Sequence, residues 1–150
     1  MEFAPENFPL YQLMQEYKFP GSDVAKKDFE AAQKGGAAEK YEFAMGLYTV
    51  TAVPEISKKV PVFTPAVIEK TRASVFGVFA SGAEQGNADS ALMAAFMKAT
   101  GQGTPEDQRG AQALVAQAES IAGETPFSKK LREQLAPTRI IIPPKPGNLG

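Results

Sequence analysis

The chain has no histidine, no cysteine and no tryptophan in 150 residues. Histidine is the side chain that titrates near neutral pH without help. Cysteine is the best thiolate nucleophile and soft metal ligand. Their absence excludes disulfides, thiolate zinc sites, iron–sulfur ligation and thioether attachment of a cofactor. It also removes most of the usual means of doing chemistry at pH 7. No run approaches the roughly 18 apolar residues of a membrane span. Charge of one sign is not in excess either. The formal net charge is −1, so no global field recruits nucleic acid.

Phosphate and metal motifs are missing as well. No G-x-x-x-x-G-K-[ST] occurs. Gly101-Gln102-Gly103 lacks both a preceding strand and a third glycine, since Glu106 stands where that glycine would be, and it reads as a helix–helix turn. Asn87, Asp89 and Ser90 are too few ligands for a calcium loop. Thirteen glutamates and four aspartates offer many carboxylate pairs, but the sequence singles out none. Glu69 and Arg72 have the spacing of a surface ion pair, and Lys58-Lys59 reads as a solvated loop. The basic end carries Phe127 as its only aromatic, a poor stacking platform for single-stranded nucleic acid. No catalytic, cofactor-binding or metal-binding residue is assigned.

What is present is mostly helix signal. Thr64-Pro65, Thr104-Pro105 and Thr125-Pro126 each place a threonine suited to the N-cap before a proline suited to N1. Glu106 and Asp107 then put negative charge on the positive end of a helix dipole, which makes Thr104-Pro105 the strongest local signal. Ala111, Leu114, Val115, Ala118, Ile121 and Ala122 form one apolar stripe after it. Ile68, Val75, Phe76 and Phe79 follow Pro65. Leu92, Ala95, Phe96 and Ala99 follow Asn87, a candidate cap. Phe127, Leu131 and Leu135 line a last helix that Pro137 should stop. Three less regular helices precede these. One carries Leu10, Leu13, Met14 and Tyr17. Another, with Ser22 as a possible cap, carries Ala25, Phe29 and Ala32. A third, after Gly35-Gly36, carries Ala37, Tyr41, Ala44, Met45 and Tyr48. Met93 and Met97 are expected to fill gaps in the core.

Residues 49–63 break the pattern. Thr49-Val50-Thr51-Ala52-Val53 favours extended chain, and Pro54 and Pro61 forbid a continuous helix. The segment is expected to be an edge strand or a crossing between helical groups. Ile140–Ile142 is the one other β-rich stretch with which it could pair.

Charge is segregated along the chain. Glu84, Asp89, Glu106, Asp107, Glu119 and Glu124 face only Lys98 and Arg109 in one stretch. Lys129, Lys130, Arg132, Arg139 and Lys145 face only Glu133 in the next. The basic end is expected to pack on the acidic helices or to meet an acidic partner.

Both ends read as arms. Residues 137–150 lead three β-branched residues into Pro143, Pro144 and Pro146, a polyproline II segment with a reach on the order of 40 Å. Residues 1–9 set Phe3 and Phe8 among Pro5 and Pro9. Met1-Glu2-Phe3-Ala4-Pro5 has neither the basic nor the apolar region of a signal peptide, so the expected setting is soluble and intracellular or organellar.

The expected fold is all-α: six or seven short helices in an irregular bundle over residues 10–136, an extended crossing segment, and extended N- and C-terminal arms. Such anatomy is similar to that of linker, scaffold and coat subunits, as in photosynthetic antenna complexes or viral particles. The similarity lies in arms and composition and carries no site. The expected function is a non-catalytic structural or linker subunit that bridges other protein subunits. No nucleic acid, membrane span or cofactor is expected. Phe3, Phe8, Arg139, Ile140, Ile141, Ile142, Pro143, Pro144 and Lys145 are the candidate partner-binding residues. Deleting residues 138–150 should leave the domain folded and abolish incorporation. The alternatives are a small regulatory binding module, or an enzyme built on glutamate or lysine in a cleft with two carboxylates about 5–9 Å apart.

Overall fold

The computed structural model describes residues 3–53 and 62–141, with side chains through Leu135. Seven α-helices and no strand occur among the described residues. They are α1 (Pro9–Glu16), α2 (Ser22–Lys34), α3 (Ala37–Ala52), α4 (Pro65–Glu84), α5 (Ala88–Thr100), α6 (Gln108–Ala122) and α7 (Pro126–Ile141). A 3-10 turn over Pro5–Asn7 precedes them. The all-α expectation holds.

Most boundaries follow from local chemistry. Thr64 caps α4 by accepting from the Val67 N–H at 3.2 Å. Asn87 caps α5 by accepting from the Ser90 N–H at 2.8 Å. Thr125 accepts from the Ser128 N–H at 3.0 Å, and the Ser128 hydroxyl accepts from the Thr125 N–H at 2.8 Å, a reciprocal cap for α7. At Thr104-Pro105 the expectation fails. The helix begins at Gln108, and Asp107 is the cap, accepting from the Gly110 N–H at 2.9 Å. α2 likewise starts behind Gly21 in the left-handed region, with no side-chain cap from Ser22.

The strand expected at Thr49–Val53 is also absent. α3 runs through Ala52, with Thr49 Oγ1 donating to the Met45 carbonyl at 2.8 Å and Thr51 Oγ1 to the Tyr48 carbonyl at 2.7 Å. The hydroxyls thus bond back into the helix, and packing overrides the β preference. Residues 54–61 of the expected crossing lie outside the described residues. Pro137 does not stop the last helix, whose backbone continues to Ile141. A proline costs a helix one hydrogen bond, but its locked φ is compatible with helical backbone, and the run continues beyond it. Pairing of Ile140–Ile142 with residues 49–53 is therefore ruled out over 49–52 and 140–141, where both backbones are helical.

Two apolar cores share α5. The first is aromatic: Phe8, Tyr11, Phe29, Phe43 and Phe79 gather with Leu10, Met14, Leu47, Val75, Met93 and Met97. The second is built on small residues: Ala91, Leu92, Ala95, Ala111, Val115 and Ala118 meet Leu131 and Leu135 of α7. Met93 and Met97 are buried, as the sequence suggested. Ile121, assigned to the α6 stripe, is instead 45% exposed. The crossing of α4 and α5 is close, and a β-carbon at Gly82 would stand 2.5 Å from the Ser90 hydroxyl.

Helix ends are tied by side chains of other helices, usually later ones. Lys40 of α3 donates to the Ala32 and Gly35 carbonyls at the end of α2, at 3.0 and 2.9 Å. Arg72 of α4 donates from Nη2 to the Thr51 carbonyl of α3 at 3.0 Å. Gln117 of α6 donates to the Ala83 carbonyl of α4 at 2.7 Å, and Gln108 to the Ala99 carbonyl of α5 at 2.9 Å. Each satisfies an acceptor that the helix itself leaves free. At the other polarity, the Leu10 N–H in the first turn of α1 donates to the buried Thr71 hydroxyl of α4 at 3.1 Å.

Candidate docking groove

The candidate partner-binding residues that the structure describes fall in two segments, one at the start of the chain and one in α7. Phe8 is fully buried, with its ring 5.1 Å from Phe43 in an edge contact. Phe3 packs on Phe29 at 5.4 Å and sits under the Lys40 ammonium at 5.4 Å. The N-terminal aromatics anchor the arm to its own domain, because five rings in one place bury more apolar surface than an exposed strap can. Arg139, Ile140 and Ile141 fall on the helical backbone of α7 rather than on extended chain. Ile142, Pro143, Pro144 and Lys145 lie outside the described residues.

An apolar groove opens instead between α1, α2 and α3. It has a volume of about 320 Å³. Met14, Val24, Phe43, Leu47 and Val50 supply its walls, and Gly46 lies among them. Phe43, Gly46, Leu47 and Val50 recur at helical spacing along α3, so they share one face. Gly46 puts a notch in that face, and a β-carbon there would meet nothing within 4 Å. Val24 is 63% exposed, an unusual state for a valine beside other apolar residues. Asp28 is a groove residue too, and its carboxylate makes no ion pair or hydrogen bond among the described residues. The sequence reading missed this site. The available signal was Gly46, a glycine inside the helix expected after Gly35-Gly36, where a missing side chain leaves space.

The polar clusters hold the fold together. Arg132 of α7 pairs with Glu119 of α6 and with Glu124 in the turn before α7, a contact between one base of the basic end and two acids of the preceding stretch. Glu119 also accepts from the Ser128 hydroxyl at 2.9 Å. The Arg132 hydrogen bond holds the Glu124 carboxyl below the usual carboxylate range. That is the wrong direction for a general acid. The adjoining cavity of about 180 Å³ has Glu119 as its one carboxylate. A third cavity, about 240 Å³, contains the Lys40 ammonium already committed to the end of α2. Gly101-Gln102-Gly103 forms the α5–α6 turn, with Gln102 Oε1 accepting from the Tyr48 hydroxyl at 3.0 Å. No group of three metal-binding carboxylates gathers among the described residues. None of their helices is long and apolar enough to cross a membrane.

Set against known protein families, curated proteins and solved structures, the chain gives no match.

Proposed function

We propose that this chain is a non-catalytic docking subunit that bridges or stabilises neighbouring proteins in a larger assembly. The observation that carries the reading is the α1–α3 groove, with its exposed Val24, its notch at Gly46 and its Asp28, unpaired among the described residues. An apolar cleft edged by one free charge suits an aliphatic segment that carries a cation. The chain offers a second contact of its own in the proline-rich segment after Ile141. Pro143, Pro144 and Pro146 restrict the free backbone, so less entropy is lost when it docks. Arg139 and Lys145 would set register against acidic patches.

The test is incorporation. The intact chain, a chain lacking residues 142–150 and a Gly46→Leu variant are each expressed in the source cells and fractionated by native mass. The cut is placed at 142 because the α7 backbone extends to Ile141. The reading expects the intact chain in a large complex and both variants shifted to the free fraction. Both variants remaining in the complex at the level of the intact chain would contradict it.

A further inference from the structure

We infer that the occupant of the α1–α3 groove is the C-terminal segment, residues 142–150, of a second copy of this chain. Copies would then join head to tail. The inference rests on the docking reading and names its partner.

The chemistry of segment and groove corresponds. Ile142, Pro143, Pro144, Pro146 and Leu149 are apolar, and Lys145 lies among them. From Ala136 to Gly150 the chain has Arg139 and Lys145 and no acidic side chain. The groove offers Met14, Phe43, Leu47 and Val50 as apolar walls and Asp28, which has no partner among the described residues, as the counter-charge. A proline-flanked lysine on a polyproline II backbone presents its ammonium while the rings pack beside it.

The topology favours a second copy over the same chain. α7, which leads into the segment, packs on α6 and α5 and closes the second core through Leu131 and Leu135. The groove opens on the first core, where α2 packs on α1 and α3. α4 and α5 contribute to both cores, whereas the buried apolar residues of α7 belong to the second alone. Segment and groove are different patches, so the contact is heterologous, and repeating it gives a closed ring or an open row of copies.

The experiment is sedimentation velocity on the purified full chain over a range of concentrations, with two blocking variants. Gly46→Leu puts a side chain into the groove from a position where an added β-carbon meets nothing within 4 Å, and an unchanged helical circular dichroism spectrum checks that the fold is kept. Deletion of residues 142–150 removes the segment. The wild-type mass should rise above 16.0 kDa with concentration, and each variant alone should remain at 16.0 kDa. An equimolar mixture of the two variants should form a 1:1 dimer and nothing larger, because one supplies the groove and the other the segment. Asp28→Lys should weaken wild-type association by about fivefold, and adding Lys145→Glu should restore it. A mixture that stays monomeric while the wild type assembles overturns the inference. So do variants that assemble like the wild type, or a wild type that is monomeric throughout. In that last case incorporation into a cellular complex would still support docking on other proteins, so the two failures are distinguishable.

Discussion

Gly103 lies directly on the backbone of Arg72. A β-carbon at Gly103 would overlap the Arg72 carbonyl and stand 2.9 Å from the Ala73 nitrogen. The α5–α6 turn is thereby pressed onto α4. On the same helix Arg72 reaches the other way and donates from Nε to Thr51 Oγ1 at 3.2 Å. One residue of α4 thus registers both the end of α3 and the turn after α5.

Gly103→Ala should therefore be costly. Its φ is +70, which any β-carbon resists by about 1–2 kcal/mol. Overpacking against fixed backbone adds about 1–3 kcal/mol. Gly21→Ala is the control, because its φ is +89 but nothing lies within 4 Å of the added carbon. Urea unfolding should show a clearly larger loss at 103 than at 21. Equal losses would mean that the contact with Arg72 does not constrain the turn.

Phe8→Ala should destabilise the isolated chain by about 3–5 kcal/mol, the usual loss for a buried phenylalanine. Phe8 is fully buried among Phe3 and Phe43. A partner-facing anchor would behave differently, leaving the melting temperature of the purified chain unchanged and weakening only its assembly.

Gly46→Ala should stabilise the chain by about 1 kcal/mol. Glycine is the poorest non-proline helix former, and here the added methyl meets no neighbour. Thermal unfolding reads the gain. A loss would show that the α3 backbone at Gly46 needs the freedom of glycine.

The Arg132 pairs should appear on the acid side of the stability profile. The folded-state pKa of Glu124 is lowered from the ordinary 4.5, first by the Arg132 hydrogen bond. A depressed carboxylate contributes stability above its unfolded pKa and loses it as pH falls through the folded value. The contribution is thus complete above about pH 4.5 and declines below it. Arg132→Gln should flatten that decline in melting temperature between pH 5 and 3, roughly the span over which a carboxylate titrates. An unchanged slope would mean that the pairs are solvated without net effect.

Much of the fold was legible in the sequence, and for local reasons. Thr64, Asn87 and Thr125 cap helices because each side chain accepts from the N–H three residues on, a bond that needs no distant partner. Thr104 does not cap α6, because the helix starts at Gln108 behind Asp107. The close approach of Gly103 to Arg72 lies in the turn before it, a contact between residues distant in sequence. Thr49–Ala52 was misread because β propensity is weak beside the burial of Leu47, Tyr48 and Thr51 on α3. The side chains that tie off other helices' ends could not be read at all. Lys40, Arg72 and Gln117 look like ordinary surface residues until distant carbonyls come within reach. The groove was hidden for the same reason, since its walls come from three helices and its key residue, Gly46, has no side chain. Phe3 and Phe8 were recognised as anchors, but sequence does not say to whose core an anchor belongs.

The central claim is that this chain works by docking in an assembly. Native mass in a gentle extract of the source cells, by size-exclusion with immunodetection, tests it most directly. The account predicts that the chain migrates in a complex much larger than its own 16.0 kDa. Migration wholly as a free monomer of 16.0 kDa would contradict it.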